Sequence, residues 1–91
     1  IGDKEVLAVS IRFNPQKAQF IRERRWHSSQ RIEEGEDGSL VLHIQTAGVV
    51  EVKNWVLQFG ADAEVLAPES LREECQKEIE RMLKVYKNRG K

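Results

Sequence analysis

The residues best suited to chemistry are gathered in one short segment, Arg22-Glu23-Arg24-Arg25-Trp26-His27-Ser28-Ser29-Gln30. A guanidinium group presents several fixed donors and stacks on aromatic faces, so three arginines beside a tryptophan suit a phosphate, a carboxylate, a stacked base or a partner chain. The segment is therefore the first candidate for a binding site, and a residue of the first strand joins it if that strand face is open. The candidate ligand or interdomain contacts are Arg12, Arg22, Arg24, Arg25, Trp26, His27 and Gln30.

Helical geometry limits how many of these arginines act together. Arg24 and Arg25 point about 100° apart on a helix, whereas Arg22 and Arg25 share one side and form the preferred pair. The simpler alternative is a solvated helix end whose cations offset the helix dipole. Trp26 is either a core residue that closes the corner or a stacking anchor, and His27 is most simply a hydrogen-bonding residue of the loop.

Patterns for catalysis and metal binding are not recognisable in the sequence. Two histidines, His27 and His43, and one cysteine without ligand spacing predict no metal site, and no cofactor is indicated. We find no nucleophile–base pair, no paired catalytic carboxylates and no glycine-rich phosphate loop, so the chain is predicted not to be an enzyme. Cys75 lies on the apolar stripe of a helix and is predicted to be a buried, inert thiol.

The overall composition is that of an ordinary globular domain, with 91 residues, 40% of them hydrophobic and 33% charged. Lys+Arg and Asp+Glu both number 15, so the net charge is zero and polyanion binding must be local. No apolar run reaches the roughly 18–20 residues of a membrane span, and a single cysteine fits a reducing cytoplasm. We expect one cytoplasmic domain over residues 1–91, cut from a longer protein because it begins at Ile1.

The elements that position the candidate residues follow from periodicity and capping signals. Asn14-Pro15 is typical of a helix start, and Asp37-Gly38 of a turn with positive φ. The turn is acidic, and we predict a solvated hairpin rather than a partner for another chain's arginines. In order, the predicted elements are a strand over 5–13, a helix over 15–24, a strand over 29–34, a turn over 35–38, a strand from Leu40 broken by Gly48, a helical stripe over 52–59 ended by Gly60, a strand over 64–67 and a helix from Glu69 to about Tyr86.

This βαββαβ order predicts an α+β fold, the ferredoxin-like antiparallel sheet, with an additional C-terminal helix. The additional helix carries one apolar stripe and needs a surface for it. It either covers the open sheet face or pairs with the same helix of another chain. The candidates for a dimer interface are Leu71, Cys75, Ile79, Met82 and Tyr86.

An ordered set of short motifs also resembles a known family. They are Ile11-Arg12-Phe13-Asn14-Pro15, the segment from Ile21 to Gln30, Glu36-Asp37-Gly38-Ser39-Leu40, Trp55-Val56-Leu57 ending at Phe59-Gly60, Val65-Leu66-Ala67-Pro68, and Leu71 leading to Met82-Leu83-Lys84-Val85-Tyr86. Together they resemble the C-terminal extension, or WCX domain, of WYL-domain bacterial transcriptional regulators. One departure is Ser28, where related sequences often carry proline.

The resemblance implies a regulator with an N-terminal winged helix-turn-helix, a central WYL domain and this extension. The extension is associated with dimer formation and with transmitting the ligand state of the WYL domain to DNA binding. The implied partners are a second copy and the WYL domain of the same or the partner chain, with DNA contacted only by the N-terminal domain and no membrane. The alternative is a ligand-sensing module that binds single-stranded nucleic acid or an anionic nucleotide through the Arg22–Trp26 cluster.

Overall fold

The computed structural model describes residues 5–88, which form a four-stranded sheet and three α-helices. This confirms a mixed α/β chain with an additional C-terminal helix. In chain order the elements are β1 (Leu7–Phe13), α1 (Pro15–Arg22), β2 (Arg31–Glu34), β3 (Leu40–Thr46), α2 (Val49–Leu57), a 3₁₀ turn (Gly60–Asp62), β4 (Ala63–Ala67) and α3 (Glu69–Lys87).

The sheet has the strand order β2-β3-β1-β4, and every neighbouring pair is antiparallel, as predicted. The two central strands pair over their whole length, from Leu7 opposite Thr46 to Phe13 opposite Leu40. The connection through α1 joins β1 to β2 with β3 between them, and the connection through α2 joins β3 to β4 with β1 between them. The edge strands β2 and β4 have four and five residues, whereas the central strands β1 and β3 have seven each.

The hydrophobic core lies on the face of the sheet that the helices cover. The alternation in β1 buries Val9, Ile11 and Phe13, as its period of two predicts. The corresponding positions of β3 are Leu40, Leu42 and Ile44, and α1 and α2 add two buried residues each. The full buried set is Val9, Ile11, Phe13, Ala18, Ile21, Leu40, Leu42, Ile44, Val52, Val56, Val65, Leu71 and Cys75.

The start of α1 follows the predicted cap, but its end does not. The Asn14 side chain accepts a hydrogen bond from the Lys17 N–H at 3.2 Å. The helix ends at Arg22 rather than near Arg24. The Ile21 carbonyl, which the Arg25 N–H would reach in a longer α-helix, instead accepts from the Trp26 indole Nε1 at 3.0 Å and from the Arg24 N–H at 3.4 Å. The indole therefore takes the place of a further helical turn.

Helix α3 packs beside the edge of the sheet. Leu71 and Cys75 join the core, and the Arg72 guanidinium donates to the Val65 carbonyl at 2.8 Å and to Glu64 at 2.7 Å. These contacts place the first half of α3 against β4 and α2, so the suggested position over the open sheet face is wrong. Beyond Cys75 the helix leaves the core. Within residues 5–88, no helix has the length and apolar character needed to cross a bilayer.

Candidate functional site

Trp26 closes the corner between α1 and β2. Its ring centroid lies 5.4 Å from that of Phe20 and 5.0 Å from that of Trp55, and the ring is half-buried against the core. The indole N–H is already used by the Ile21 carbonyl. Trp26 is thus a core-closing residue with one partly open edge, which agrees with the simpler of the two interpretations.

Gln30 and His27 hold the backbone of this corner. The Gln30 Oε1 accepts from the Trp26 N–H at 2.6 Å and from the His27 N–H at 3.3 Å. The Nδ1 atom of His27 accepts from the Ser29 N–H at 3.1 Å. Both side chains are therefore occupied in shaping the loop, as the interpretation of His27 as a loop hydrogen-bonder predicted.

Arg22 is neutralised within the chain. Its Nε donates to Glu34 Oε2 at 2.9 Å and its Nη2 to Oε1 at 2.7 Å, a bidentate pair between the end of α1 and β2. These hydrogen bonds raise the pKa of Arg22 and lower the pKa of Glu34. Arg25 instead donates to the Ser28 carbonyl at 3.3 Å. The structure therefore does not bring Arg22 and Arg25 together on one anion.

The acidic turn gives Arg12 a partner as well. Arg12 Nη2 lies 3.0 Å from Asp37 Oδ2. The pKa of Asp37 is lowered, first by the Ser39 hydroxyl and backbone N–H that donate to it, and to a smaller extent by Arg12. Two acids of the hairpin, Glu34 and Asp37, are thus paired with arginines of their own chain.

Arg24 takes a different position, over aromatic rings. Its guanidinium carbon lies 4.4 Å from the Phe20 centroid and 6.0 Å from that of Trp26, and Lys17 Nζ lies 5.9 Å from Phe20. Neither cation forms an ion pair with another residue in the described range. They border a cleft of about 500 Å³, lined by Lys17, Phe20, Arg24, Trp26, Trp55, Gln58, Phe59 and Asp62.

This cation–aromatic cleft contains Lys17, which was not among the candidates predicted from the sequence. In the helix predicted over 15–24, Lys17, Phe20 and Arg24 follow the spacing i, i+3, i+7 and would share one side; in the structure Arg24 follows the end of α1 and still reaches the Phe20 ring. That spacing was available in the sequence. The dense arginine segment drew the prediction towards Arg22 and Arg25 instead.

A second cleft, the groove, lies on the other side of the Trp26–Trp55 pair. Its volume is about 470 Å³ and its surface is mostly apolar. The core side chains of β3 and α2 form its floor, and Glu51 lies at its rim. Its lining residues are Trp26, His27, Leu42, Ile44, Thr46, Gly48, Glu51, Val52 and Trp55. Since the lining comes from α2, β3 and the corner, only the folded chain assembles it.

The dimer candidates on α3 divide into two groups. Leu71 and Cys75 are 1% and 6% exposed, inside the domain's own core, so they offer no surface to a partner. Burial also raises the pKa of the Cys75 thiol, which fits the predicted inert cysteine. By contrast, Ile79, Met82 and Tyr86 are 53%, 43% and 77% exposed. The interface prediction therefore rests on these three and on Leu83, which lies beside them at 52%.

The outer sheet face carries a hydrogen-bonded row that sequence spacing did not reveal. The Ser10 hydroxyl lies 2.8 Å from His43 Nδ1, and His43 Nε2 lies 2.9 Å from Glu33 Oε1. The Glu33 side chain is 62% exposed, so the row lacks the water-excluded setting that nucleophilic catalysis uses. We interpret it as a pair of side-chain hydrogen bonds that links β1, β3 and β2. Among the described residues, no group of three His, Cys, Asp or Glu side chains is placed to hold a metal ion.

Comparison with known proteins gives one family. A family model described as "WCX domain" matches residues 5–83, which include the Arg22–Gln30 corner, both clefts and most of α3. No curated protein matches the chain.

Proposed function

The chain belongs to the WCX domain family, and we propose that it is the C-terminal regulatory and dimerisation module of a WYL-domain transcriptional regulator. In this proposal it couples the ligand state of a WYL domain to DNA binding by an upstream winged helix-turn-helix. It acts in the bacterial cytoplasm, without catalysis, and its Arg22–Gln30 corner contacts the WYL domain of the same or the partner chain. The pairing of Arg12 and Arg22 with acids of the same chain supports a protein contact over an independent phosphate site at these two residues.

We also assign the sheet to the ferredoxin-like type. The support is the strand order β2-β3-β1-β4 together with two helical connections that each pass over one intervening antiparallel strand. Such a fold hosts many functions, so the assignment carries no functional weight by itself.

The observation that carries the dimerisation proposal is the uncovered apolar stripe at the end of α3. Ile79, Met82, Leu83 and Tyr86 stand at i, i+3, i+4 and i+7, and their side chains are between 43% and 77% exposed. Four large apolar side chains on one stripe form a contiguous patch of the kind that marks an interaction site. A second copy supplies the same patch, which is the commonest way for a soluble protein to cover one.

Sedimentation velocity over a range of micromolar concentrations tests this proposal. We expect a monomer–dimer equilibrium, and we expect Met82→Asp to weaken the dimer at least about tenfold, because burying an unpaired carboxylate costs more than about 1.4 kcal/mol. Val85→Asp is the matched control, since Val85 is 66% exposed on the same helix but lies off the stripe. A chain that stays monomeric at every concentration, or equal effects of the two variants, would count against the proposal.

A second candidate function, ligand sensing, is favoured by the cation–aromatic cleft. Arg24 and Lys17 stand over Phe20 beside Trp26 and Trp55, which suits an anionic group next to a stacked base. The proposed ligand is single-stranded nucleic acid or an anionic nucleotide. The sequence predicted that the Arg22–Trp26 cluster binds this ligand. The cations best suited to the ligand are instead Lys17 and Arg24, because they border the cleft.

Tryptophan fluorescence titrated with a short oligonucleotide at low salt tests ligand sensing. We expect quenching that is lost in Arg24→Ala and kept in Arg25→Ala, because Arg25 is directed to the Ser28 carbonyl. Trp55→Phe separates the signal of Trp26 from that of Trp55. Absence of quenching, or the same loss in both arginine variants, argues against the cleft as the site.

A further inference from the structure

The end of α3 extends away from the rest of the domain as an arm, defined here as residues 79–87. The last core residue of the helix is Cys75, and the twelve residues from Gln76 to Lys87 rise about 18 Å beyond it at 1.5 Å each. The Cα radius of gyration is 14.5 Å, whereas a compact chain of this length has about 12 Å. The molecule is thus more extended than its length requires.

The arm and the groove are complementary in character. The arm presents Ile79, Met82, Leu83 and Tyr86, of which Ile79 still borders the cleft between α2, β4 and α3. The groove is a space of about 470 Å³ above the buried side chains of Leu42, Ile44 and Val52, and the half-buried rings of Trp26 and Trp55 form its walls. The arm exposes apolar side chains, and the groove is an open space with a mostly apolar lining. Each is the kind of surface that the other would cover.

Their charges are complementary as well. Lys84 and Lys87 lie in the last turns of α3, beside the apolar stripe. Glu51 lies exposed at the rim of the groove, and it forms no ion pair with any residue between 5 and 88. A helix entering the groove by its stripe brings lysines towards this carboxylate. Such exposed pairs contribute little energy but favour one orientation of the helix.

A chain cannot fill its own groove with its own arm. Helix α3 is continuous from Glu69 to Lys87, and its first half is fixed against β4 and α2 by Leu71 and Cys75. The helix therefore has no hinge that would let the arm turn back towards its own groove. The groove also lies on the other flank of α2, since Leu57 borders the cleft beside α3 whereas Trp55, which points to nearly the opposite side of the helix, lines the groove.

Building on the proposed dimer, we infer that two copies exchange their arms, so that the apolar stripe of each α3 lies in the groove of the other copy. Pairing the two arms alone covers only about two helical turns per copy, which is small against the roughly 800 Å² per partner of a stable interface. Exchange adds both grooves to the contact. It is also closed under two-fold symmetry, with no stripe or groove left over for a third copy.

Cysteine cross-linking distinguishes arm exchange from simple helix pairing. In a Cys75→Ala background, Glu51→Cys at the groove rim is combined with Leu83→Cys in the arm, and a bismaleimide is added to the folded chain. We expect covalent dimer in the double variant and its loss in either single variant. The matched control is Asn54→Cys with Leu83→Cys, because Asn54 is exposed on α2 but does not line the groove. Circular dichroism checks that each variant is folded.

The outcomes separate this inference from the dimer proposal. Cross-linking of Leu83→Cys alone as efficiently as the double variant places the two arms against each other and overturns exchange. A dimer by sedimentation without any Glu51–Leu83 product also overturns exchange, while the dimer proposal stands. A monomer at all concentrations overturns both. A blue shift of tryptophan emission on dimerisation, absent in Met82→Asp, supports exchange independently, because the groove walls are Trp26 and Trp55.

Discussion

Among single residues, the arginines differ in what already occupies them. Arg22 and Arg12 are paired with Glu34 and Asp37, whereas Arg24 stands over aromatic rings. Arg25 donates to the Ser28 carbonyl, so the three arginines between positions 22 and 25 have three different surroundings. A substitution at each one is expected to affect a different property of the molecule.

For Arg22 that property is the pH dependence of stability. Its hydrogen bonds lower the pKa of Glu34 in the folded state, so their contribution is present above the ordinary carboxyl pKa of about 4.3 and is lost as the pH falls through the lowered value. We expect Arg22→Gln to lower the melting temperature at pH 7, and the difference from the parent to shrink towards pH 3.

Carboxyl chemical shifts followed by NMR complete that test. The pKa of Glu34 is expected to rise in Arg22→Gln and to stay in place in Arg25→Gln, which loses only a contact to a backbone carbonyl. A Glu34 titration that is the same in all three proteins would show that the bidentate pair does not form in solution.

Cys75 gives a second prediction at this scale. The thiol is 6% exposed and burial raises its pKa, so little thiolate is available. We expect iodoacetamide to react much more slowly with Cys75 than with a cysteine placed on the exposed stripe, Ile79→Cys in a Cys75→Ala background. Equal alkylation rates, measured by mass spectrometry at pH 8, would mean that the first half of α3 opens readily.

At the level of elements, α1 depends on its cap. The Asn14 side chain accepts from the Lys17 N–H and donates to Asp62 Oδ1 at 2.7 Å, which links the start of α1 to the end of the 3₁₀ turn. We expect Asn14→Ala to cost about 1 kcal/mol in the free energy of unfolding, the usual value for a lost N-cap. Urea denaturation measures it, with exposed Gln16→Ala as the control; a cost equal to that of the control contradicts the capping role.

Substitutions in the two halves of helix α3 should change the free energy of unfolding by different amounts. Leu71 is 1% exposed, so Leu71→Ala is expected to cost about 2–5 kcal/mol through lost burial and the cavity left behind. Leu83→Ala should change the stability of the dilute monomer by less than about 0.5 kcal/mol. Urea denaturation at low protein concentration measures the two changes in the free energy of unfolding. Similar costs would indicate that the arm packs on its own domain.

For the whole molecule, the sheet order predicts how protection from hydrogen exchange is distributed. The central strands β1 and β3 are paired on both sides, whereas β2 is a four-residue edge strand. Amides of Ile11 and Leu42 should therefore exchange among the slowest. Arm amides after Ile79 should exchange quickly at low concentration and more slowly where the dimer forms. Faster exchange in β1 than in β2 would contradict the strand order.

The sequence by itself determined the features that depend on near neighbours. The period of two in β1, the Asn14 cap, the positive φ of Gly38 and the stripe of α3 were all predicted and are all present. Each follows from contacts between residues at most a few positions apart, where sequence spacing and spatial neighbourhood coincide. The family resemblance came from the same local motifs, taken in order.

Only the tertiary structure decided which candidate residues are free to bind. Glu34 and Asp37 lie 12 and 25 positions from the arginines that they neutralise, and the packing of α1, β1 and the β2–β3 hairpin brings them together. Register likewise aligns Ser10, His43 and Glu33, and the packing of α3 buries Leu71 and Cys75 but leaves the arm exposed. Such pairings depend on how elements meet, which the period of a single element does not contain.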